Sequence, residues 1–303
     1  MGAVFLGTPS AAIPSLCALA DVADIDLVVT RPERGAGRGG RTNRSPVKDA
    51  ADQFGFPVAQ PETREDLHQL LVEGGFDFGV IVAFGEILTP AMLVSVGAGI
   101  LNVHFSLLPR WRGAAPVERA IASGDDRTGV TLMKIDTGLD TGPILGEIAT
   151  PIGPLETGGS LTARLSFLGA SLIDATVPEY LNGRRVPVPQ ITSGATHARP
   201  LTKEDSKLDA TWPVDRAERT IRAFSPRPGA WIETDDGRIQ VHGAIPYGGE
   251  TSTPGGTIQR GEGVVLAGFA DGGLELTFVQ PESKGVMTAD AWMNGRRGIG
   301  TTF

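Results

Sequence analysis

The chain contains two apolar runs that decide its fold, Phe76-Asp-Phe-Gly-Val-Ile-Val-Ala-Phe84 and Gly99-Ile-Leu-Asn-Val-His-Phe105. Both predict buried β-strands, and a short helix is predicted between them near Pro90–Val94. Strand, helix and strand in this order form the unit from which parallel sheets are built. Further predicted elements upstream are strands at Ala3–Gly7 and Ile25–Thr30, a helix at 10–20, and a helix through Phe54 with Ser45 as N-cap and Pro46 first. The sequence therefore predicts an α/β fold with a doubly wound, mostly parallel sheet.

The pattern changes after a helical stretch that is predicted at about residues 157–181. Prolines and glycines interrupt the segment from Gly183 to Lys203, which predicts a linker. Beyond a predicted helix at Val214–Phe224, short apolar segments alternate with Gly-rich turns, which is typical of a small OB-like β-barrel. These segments are Ala230–Thr234, Ile239–Ala244, Gly256–Gln259, Val264–Ala267 and Leu274–Val279, with a short helix near Ala289–Asn294 after them. We therefore expect an α/β domain at 1–184, a linker at 185–205 and a barrel domain at 206–303.

The composition is that of an ordinary globular protein, with 303 residues of which 41% are hydrophobic. No apolar run approaches the roughly 18 residues of a membrane helix, and the first residues lack the basic segment of a signal peptide. Cys17 is the single cysteine, and the four histidines are scattered without ligand spacing. We therefore expect a cytoplasmic protein with no membrane contact, no disulfide framework and no metal site.

The net charge of −8 is unevenly distributed along the chain. Residues 31–48 carry six basic side chains against Glu33 alone. A basic loop on an acidic body can bind phosphates although the chain as a whole is acidic. Charge alone leaves this interpretation balanced against that of a solvated, flexible loop.

The first predicted strand ends in Gly7-Thr8-Pro9, which is not the glycine pattern of a dinucleotide-binding loop. Pro9 removes an amide where a pyrophosphate needs donors, so the turn argues against a nicotinamide cofactor. The fold is then Rossmann-like without that function.

Two polar residues, Asn102 and His104, lie on the same face of the predicted strand at 99–105. Open α/β sheets bind ligands at the carboxyl ends of their strands, which is where this pair is expected. Asp140 follows in a turn between Gly138 and Gly142, again between predicted strands. A buried polar pair satisfied by the backbone is the alternative, but three such groups at strand ends favour catalysis of an acyl-type transfer.

These residues resemble a known family, the folate-dependent formyltransferases. The resemblance rests on Asn102-Val-His104, on Ser106-Leu-Leu-Pro-Arg-Trp-Arg-Gly-Ala-Ala-Pro116 and on Asp136-Thr-Gly-Leu-Asp140. The loop string is most similar to the branch of the family that formylates methionyl-tRNA. Further matches are Phe5-Leu-Gly-Thr-Pro9, Gly35-Ala-Gly-Arg-Gly39, Ser45-Pro-Val-Lys48, Arg222-Ala-Phe-Ser-Pro226 and Val279-Gln-Pro281. Glycinamide ribonucleotide formyltransferases are similar at the three polar residues but lack the second domain.

The resemblance implies 10-formyltetrahydrofolate as the formyl donor and the α-amino group of initiator methionyl-tRNA as the acceptor. Asn102 would donate to the oxygen of the formyl group. In other enzymes, one such hydrogen-bond donor stabilises the transition state by roughly 2.7–4 kcal/mol. His104 would donate to the same oxygen if protonated or act as a base if neutral, and the sequence leaves both roles open. Asp140 would set the tautomer or charge of His104 and order a water that carries the proton.

The resemblance also implies a folate pocket between two segments, Phe84–Leu88 and Ser106–Pro109. Main-chain groups of the first segment would bind the pterin, with a plain strand-to-helix turn as the alternative interpretation. Departures from the family are Phe84, where Tyr is frequent, and the charged Glu86. The folate-binding residues implied are Phe84, Gly85, Glu86, Ile87 and Leu88, followed by Ser106, Leu107, Leu108 and Pro109.

For the basic loop, the resemblance implies contacts to the tRNA acceptor stem, where RNA is recognised by shape, phosphates and splayed bases. The glycines around Arg38 would keep the free loop mobile. The tRNA-binding residues implied are Arg38, Arg41, Arg44, Lys203 and Lys207. A formyltransferase for a nucleotide sugar and an RNA-binding module without catalysis are the alternatives. The basic loop with the second domain argues against the first, and the three polar residues against the second. We expect a monomer.

Overall fold

A computed structural model describes residues 1–36, 41–249, 251–261 and 263–303, with the backbone alone for 34–36 and 41–43. The chain forms two compact units. The first consists of Met1–Pro116, Arg127–Pro151 and Thr162–Arg199. The second consists of Val117–Asp126, Ile152–Leu161 and Pro200–Phe303. The boundary therefore falls at several points along the chain.

The helices of the described residues are short, apart from one of 24 residues. They are α1 (Ile13–Val22), α2 (Pro46–Phe54), α3 (Arg64–Glu73), α4 (Pro90–Ser95), α5 (Pro116–Ser123), α6 (Gly158–Leu181), α7 (Val214–Ala223) and α8 (Ala289–Gly295). Short 3-10 helices occur at Ser10–Ala12 and Glu204–Ser206.

The strands of the first unit include long buried ones and short pairs. They are β1 (Gly2–Gly7), β2 (Asp24–Val29), β3 (Arg34–Ala36), β4 (Arg41–Asn43), β5 (Val58–Ala59), β6 (Phe78–Val82), β7 (Ile100–His104), β8 (Arg112–Gly113), β9 (Arg127–Lys134), β10 (Ile144–Pro151) and β11 (His197–Ala198). Seven of them form one sheet in the order β10-β9-β7-β6-β1-β2-β5. The pairs from β7 to β5 are parallel, whereas β9 pairs antiparallel with β7 and with β10.

The central parallel strands β1, β6 and β7 are buried, as the apolar runs predict. Strand β6 has five buried residues in a row, and β1 is buried from Ala3 onward. Beside them, α3 and α4 contribute Leu67, Leu71 and Met92 to a core with residues of β1, β6 and β7. The strand order changes direction at β1, which has β2 on one side and β6 on the other. Ligands bind beyond the carboxyl ends of strands at such a switch point, and residues 83–88 follow β6 there.

The predicted start and end of helix α2 are confirmed residue by residue. Helix α2 runs from Pro46 to Phe54, and its N-cap Ser45 accepts a hydrogen bond from the Lys48 amide at 3.4 Å. Gly55 ends the helix in the left-handed conformation, at a φ of 76°. The basic loop, in contrast, is not irregular throughout, because β3 and β4 pair in antiparallel fashion, with Gly35 opposite Thr42.

The second unit contains an antiparallel sheet, which confirms the predicted β-rich fold. Its strands are β12 (Ala230–Thr234), β13 (Gly237–Pro246), β14 (Thr257–Gly261), β15 (Val264–Phe269), β16 (Gly272–Pro281), β17 (Met287–Thr288) and β18 (Thr301–Thr302). They follow the order β12-β13-β16-β15-β14-β18, with β17 on β16. The Asp235 amide donates to the Thr302 carbonyl at 3.3 Å, so the two ends of the curled sheet meet. Helices α7 and α8 contribute Ile221, Trp292 and Met293 to the core.

Candidate active site

Strand β7 places Asn102 and His104 on one side of the sheet. Asn102 is aligned with Ile81 of β6 and with Met133 of β9, so the pair lies between two neighbouring strands. Both side chains line the same cavity. His104 is buried, with 6% of its surface exposed, whereas Asn102 is partly exposed. The predicted shared strand face is confirmed.

Asp140 lies in the turn between β9 and β10. The turn is closed by Asp136, whose Oδ1 accepts hydrogen bonds from the Gly138 amide at 2.9 Å and the Thr141 hydroxyl at 2.7 Å. Asp140 has a left-handed φ of 51°, which aspartate tolerates better than most side chains. At Gly142 a Cβ atom would lie 1.8 Å from the Lys134 carbonyl oxygen, so the turn requires glycine there.

The carboxylate of Asp140 contacts both other members of the predicted site. Its Oδ1 accepts a hydrogen bond from Asn102 Nδ2 at 3.2 Å. Its Oδ2 accepts one from the Gly113 amide at 2.8 Å and lies 3.7 Å from His104 Nδ1. The last distance is too long for a hydrogen bond but short enough for an ion pair when the imidazole is protonated. The three residues predicted from sequence therefore converge.

The tautomer of His104 follows from its other contact. His104 Nε2 lies 2.9 Å from the carbonyl oxygen of Trp111. A carbonyl only accepts hydrogen bonds, so Nε2 carries a proton and donates it. The nitrogen that can gain or lose a proton is then Nδ1, which faces Asp140. Trp111 has a left-handed φ of 61°, and its amide donates to Thr196 Oγ1 at 2.9 Å.

The three side chains line a cavity of about 380 Å³. This volume is within the range of about 300–1,000 Å³ that small-molecule sites occupy. The walls are mainly apolar and are drawn from the ends of β6, β7 and β9. The lining residues are Ile81, Ala83–Leu88, 102–105, Gly113, Ala114, Pro116, Met133 and Ile135–Asp140.

The first predicted folate segment, Phe84–Leu88, lies along this cavity. Phe84 and Leu88 line the cavity and belong to the hydrophobic core, with 2% and 9% of their surfaces exposed. Glu86, the charged departure from the family pattern, pairs with Arg31 at 3.0 Å. The Ile87 carbonyl accepts a hydrogen bond from Arg64 at 2.7 Å. The segment therefore has a fixed backbone beside the predicted catalytic residues.

The second predicted folate segment, Ser106–Pro109, lies outside the lining of the cavity. Ser106 is buried, and its hydroxyl donates to the Arg110 carbonyl at 2.6 Å. The Leu108 amide donates to Thr131 Oγ1 at 3.1 Å, and the same hydroxyl donates to the Ser106 carbonyl at 2.7 Å. Leu107 packs against Gly129 of β9, and the Leu108–Pro109 peptide is cis. These contacts hold the start of the loop that carries Trp111.

The predicted tRNA contacts of the basic loop are only partly described. Arg38 lies outside the described residues, and so does the side chain of Arg41, whose backbone belongs to β4. Arg44 is described and is surrounded by carboxylates. Its guanidinium lies 3.0 Å from Asp49 and 3.9 Å from Glu33, and it also pairs with Asp52. Arg44 would have to exchange these partners to bind a phosphate.

The two predicted lysines of the second unit lie near Trp231. Lys203 is exposed, and its carbonyl accepts a hydrogen bond from the Trp231 indole at 3.0 Å. Lys207 Nζ lies 5.1 Å from the centre of the Trp231 ring, and Arg238 lies 4.3 Å from it. Cations at these distances from an indole face are attracted to it. A basic cluster on an aromatic side chain is therefore present in this unit.

Three contacts of the site could not be predicted from the sequence. The Trp111 carbonyl and the Gly113 amide are backbone groups, and no side-chain pattern signals them. The third is Gln190, whose amide donates to the carbonyls of Asp140 and Gly142 at 2.9 and 2.8 Å. Gln190 follows two prolines in the segment that the sequence predicts as a linker.

No group of three or more His, Cys, Asp or Glu side chains that could hold a metal ion converges in the part of the chain that the structure covers. Within the same residues, every helix is too short or too polar to cross a membrane.

The chain belongs to the formyl transferase family. The family model described as formyl transferase matches residues 3–177, and the model of the formyl transferase C-terminal domain matches residues 200–297. Among its relatives is the methionyl-tRNA formyltransferase of Halorhodospira halophila, 44% identical over 97% of this chain and 96% of the relative. The protein of the same name from Thermobifida fusca is 41% identical over 100% of this chain and 99% of the relative.

Solved structures share the fold at lower identity. WlaRD, a sugar 3N-formyl transferase studied with 5-N-formyl-THF, has a TM-score of 0.70 at 17% identity, over 94% of this chain and 98% of that one. HypX from Aquifex aeolicus in complex with tetrahydrofolic acid has a TM-score of 0.65 at 14% identity, over 96% of this chain and 46% of that one. At these identities the likeness concerns the fold alone. The predicted α/β domain followed by a curled, barrel-like antiparallel sheet is thus the architecture of this family.

Proposed function

We infer that this chain transfers the formyl group of 10-formyltetrahydrofolate to the α-amino group of initiator methionyl-tRNA, giving N-formylmethionyl-tRNA for translation initiation. The observation that carries this function is the convergence of Asn102, His104 and Asp140 on one cavity. This convergence occurs in a chain that is 44% identical, over nearly its whole length, to a methionyl-tRNA formyltransferase.

The cavity fits a folate head group. Its volume of about 380 Å³ and its mainly apolar wall suit a flat heterocycle, and the backbone at Phe84–Leu88 offers amide and carbonyl groups for its polar edge. Bound 10-formyltetrahydrofolate supplies the formyl carbon, and transfer releases tetrahydrofolate. Ser106–Pro109 belong to this site indirectly, since they anchor the loop that leads to Trp111 and Gly113.

The geometry divides the work among the three residues. One N–H of the Asn102 amide donates to Asp140, which orients the second N–H to donate to the formyl oxygen as negative charge develops there. His104 keeps its Nε2 proton on the Trp111 carbonyl, so Nδ1 accepts the proton that the attacking amine loses. Asp140 stabilises the resulting imidazolium from 3.7 Å. The proton then passes on toward the folate nitrogen. As it does so, the bond between this nitrogen and the formyl carbon breaks.

The acceptor is assigned to tRNA by charge. Arg38 and Arg41 belong to the basic loop and would contact phosphates and splayed bases at the end of the acceptor stem. Lys203 and Lys207 would add phosphate contacts in the second unit. Arg44 would bind a phosphate only after its guanidinium has left its carboxylate partners. We therefore expect a smaller contribution to tRNA binding from Arg44.

The domain boundaries proposed are 1–184 for the catalytic part, 185–205 for a linker and 206–303 for the tRNA-binding part. We further propose that the enzyme works as a monomer in the cytoplasm, where its substrate methionyl-tRNA is made and used. The chemistry of formyl transfer to a neutral amine requires no metal.

A formylation assay tests the function directly. The purified protein is incubated with 10-formyltetrahydrofolate and methionyl initiator tRNA, and formylmethionine is measured after release from the tRNA. Parallel reactions contain elongator methionyl-tRNA or a nucleotide-linked amino sugar. We expect formylmethionine from the initiator tRNA and no formyl sugar. Formylation of the sugar alone would move the enzyme to another branch of the family. No transfer to any amine, with tRNA still bound, would indicate an RNA-binding module.

A further inference from the structure

We propose that Gln190 is a positioning residue for Asp140, so that a side chain from the segment predicted as a linker tunes the formyl transfer. This inference rests on the function proposed above. Gln190 is absent from the lining of the cavity, so it would act on the reaction through Asp140 and its turn rather than on a substrate.

The amide nitrogen of Gln190 holds the turn that carries Asp140. Gln190 Nε2 donates to the Asp140 carbonyl at 2.9 Å and to the Gly142 carbonyl at 2.8 Å. A primary amide has two N–H groups, so both donors are used on one turn. These bonds fix the backbone of Asp140 at its left-handed φ of 51°, from which its carboxylate reaches Asn102 and Gly113.

The amide oxygen of Gln190 holds the opposite loop. Gln190 Oε1 accepts hydrogen bonds from Arg112 Nε at 3.2 Å and Nη2 at 2.6 Å, and Arg112 is buried, with 7% of its surface exposed. Arg112 stands between Trp111, whose carbonyl orients His104, and Gly113, whose amide binds Asp140. One side chain therefore connects the turn of Asp140 with the loop that orients His104.

The backbone around Gln190 makes the same connection at both of its ends. Val188 and Ile144 exchange two hydrogen bonds, at 2.7 and 2.8 Å, which join the segment to the start of β10. Strand β11 pairs parallel with β8, and the Arg112 amide donates to the Thr196 carbonyl at 2.9 Å. The segment 188–198 is thus anchored on two sides, and Gln190 lies between the anchors.

A small displacement of Asp140 would be costly to the reaction. A misplacement of about 1 Å in a catalytic constellation can lower the rate by about 10²-fold. Asp140 Oδ2 is already 3.7 Å from His104 Nδ1, so a looser turn would weaken its hold on the imidazolium. The expected effect of losing the Gln190 amide is therefore on turnover, with little effect on the binding of methionyl-tRNA.

The main test variant is Gln190→Glu. It separates the contact of the amide oxygen with Arg112 from the contacts of the amide nitrogen with the turn of Asp140. A carboxylate can still accept the hydrogen bonds of the buried Arg112, so the fold is kept. It cannot donate to the carbonyls of Asp140 and Gly142 and is repelled by them. We expect kcat to fall roughly 10–100-fold, while the KM for methionyl-tRNA stays close to that of the wild type. Thr192→Ala, an exposed change on the same segment, is the matched control and should leave both constants unchanged.

A double-mutant cycle decides whether Gln190 acts through Asp140. Gln190→Glu is added to Asp140→Ala, and the single-turnover rate and thermal midpoint of all four proteins are measured. If Gln190 acts through Asp140, the second change costs much less than in the wild type. An equal loss in both backgrounds, or an unchanged kcat in Gln190→Glu, would overturn the proposal. An inactive wild type would instead reject the proposed function, so the two failures are distinguishable.

Discussion

The two compact units use their polar side chains in different ways. In the first unit, Asp140 accepts hydrogen bonds from Asn102, Gly113 and Gln190, which belong to three separate segments, and its carboxylate faces His104 beside a cavity. In the second unit, basic side chains lie against aromatic rings, as Arg216 does at 3.9 Å from the centre of Trp212. Others form ion pairs, such as that between Arg119 and Asp205.

The difference concerns how much each contact depends on the others. A converging network places groups for chemistry, so losing one member misplaces the rest and is expected to change turnover strongly. Pairwise contacts each contribute about 1 kcal/mol or less when exposed. We therefore expect large effects on catalysis from the first unit and small effects on stability or tRNA binding from the second.

The largest effect is expected from His104→Ala. The change removes the proposed base and should lower kcat by roughly 10²–10⁴-fold. The thermal midpoint should change little, because the imidazole lies at the edge of a cavity. Steady-state formylation together with calorimetry measures both quantities, and a variant with near-normal kcat would remove His104 from the mechanism.

The next effect is expected from Arg38→Ala in the basic loop. It should raise the KM for methionyl-tRNA about tenfold or more, leave folate binding intact, and reduce the slope of tRNA binding against salt by about one. Arg44→Ala is the matched control. Because three carboxylates already hold its guanidinium, its effect on tRNA binding should be smaller. Equal losses of folate and tRNA affinity in Arg38→Ala would contradict the assignment.

The ion pair between Asp205 and Arg119 allows the contribution of a pairwise contact to stability to be measured in the second unit. Two hydrogen bonds from Arg119, at 2.9 and 3.0 Å, hold the pKa of the Asp205 carboxyl well below its ordinary value of 3.8, with help from Thr202. A lowered pKa means that the stabilisation is present above pH 3.8 and is lost as the pH falls further toward the folded-state pKa.

Asp205→Asn should therefore lower the free energy of unfolding at pH 7 by roughly 1–3 kcal/mol. The wild type and the variant should converge in thermal midpoint as the pH falls below about 4. Formylation by the folded variant should be normal. A difference in stability that persists unchanged into strong acid would show that the carboxylate is not the cause.

The smallest effect is expected from Thr196→Val. This change removes the acceptor of the Trp111 amide while keeping the shape of the side chain. The loss of one neutral hydrogen bond corresponds to about 1 kcal/mol, or roughly a fivefold decrease in kcat if the bond acts through Trp111 on His104. Single-turnover kinetics can resolve this difference, and an unaltered rate would limit the network to Gln190 and Arg112.

The sequence predicts the elements of this chain well where local patterns determine them. Helix α2 has its predicted bounds because Ser45, Pro46 and Gly55 are each suited to a helix end. The buried strands β6 and β7 follow from their apolar runs. The elements that are not predicted include the helices α3 and α5 as well as the strands β17 and β18. The two strands have two residues each, and such lengths carry no periodic signal.

The candidate site also has a part that the sequence predicts and a part that only the folded structure shows. Asn102, His104 and Asp140 are chemically distinctive side chains at predicted strand ends, so sequence and family resemblance bring them together. The Trp111 carbonyl and the Gly113 amide depend on left-handed backbone at both residues, which only the folded loop shows. Gln190 is 50 residues from Asp140 in the chain, and its contacts follow from tertiary pairing.

The most direct test of the central claim is the single-turnover rate of formyl transfer to methionyl-tRNA by Asp140→Ala, with folate binding measured in parallel. Because Asp140 joins Asn102 and His104, we expect the rate to fall roughly 10²–10⁴-fold while the protein stays folded and binds folate. A rate close to that of the wild type would show that the convergent site does not perform the transfer.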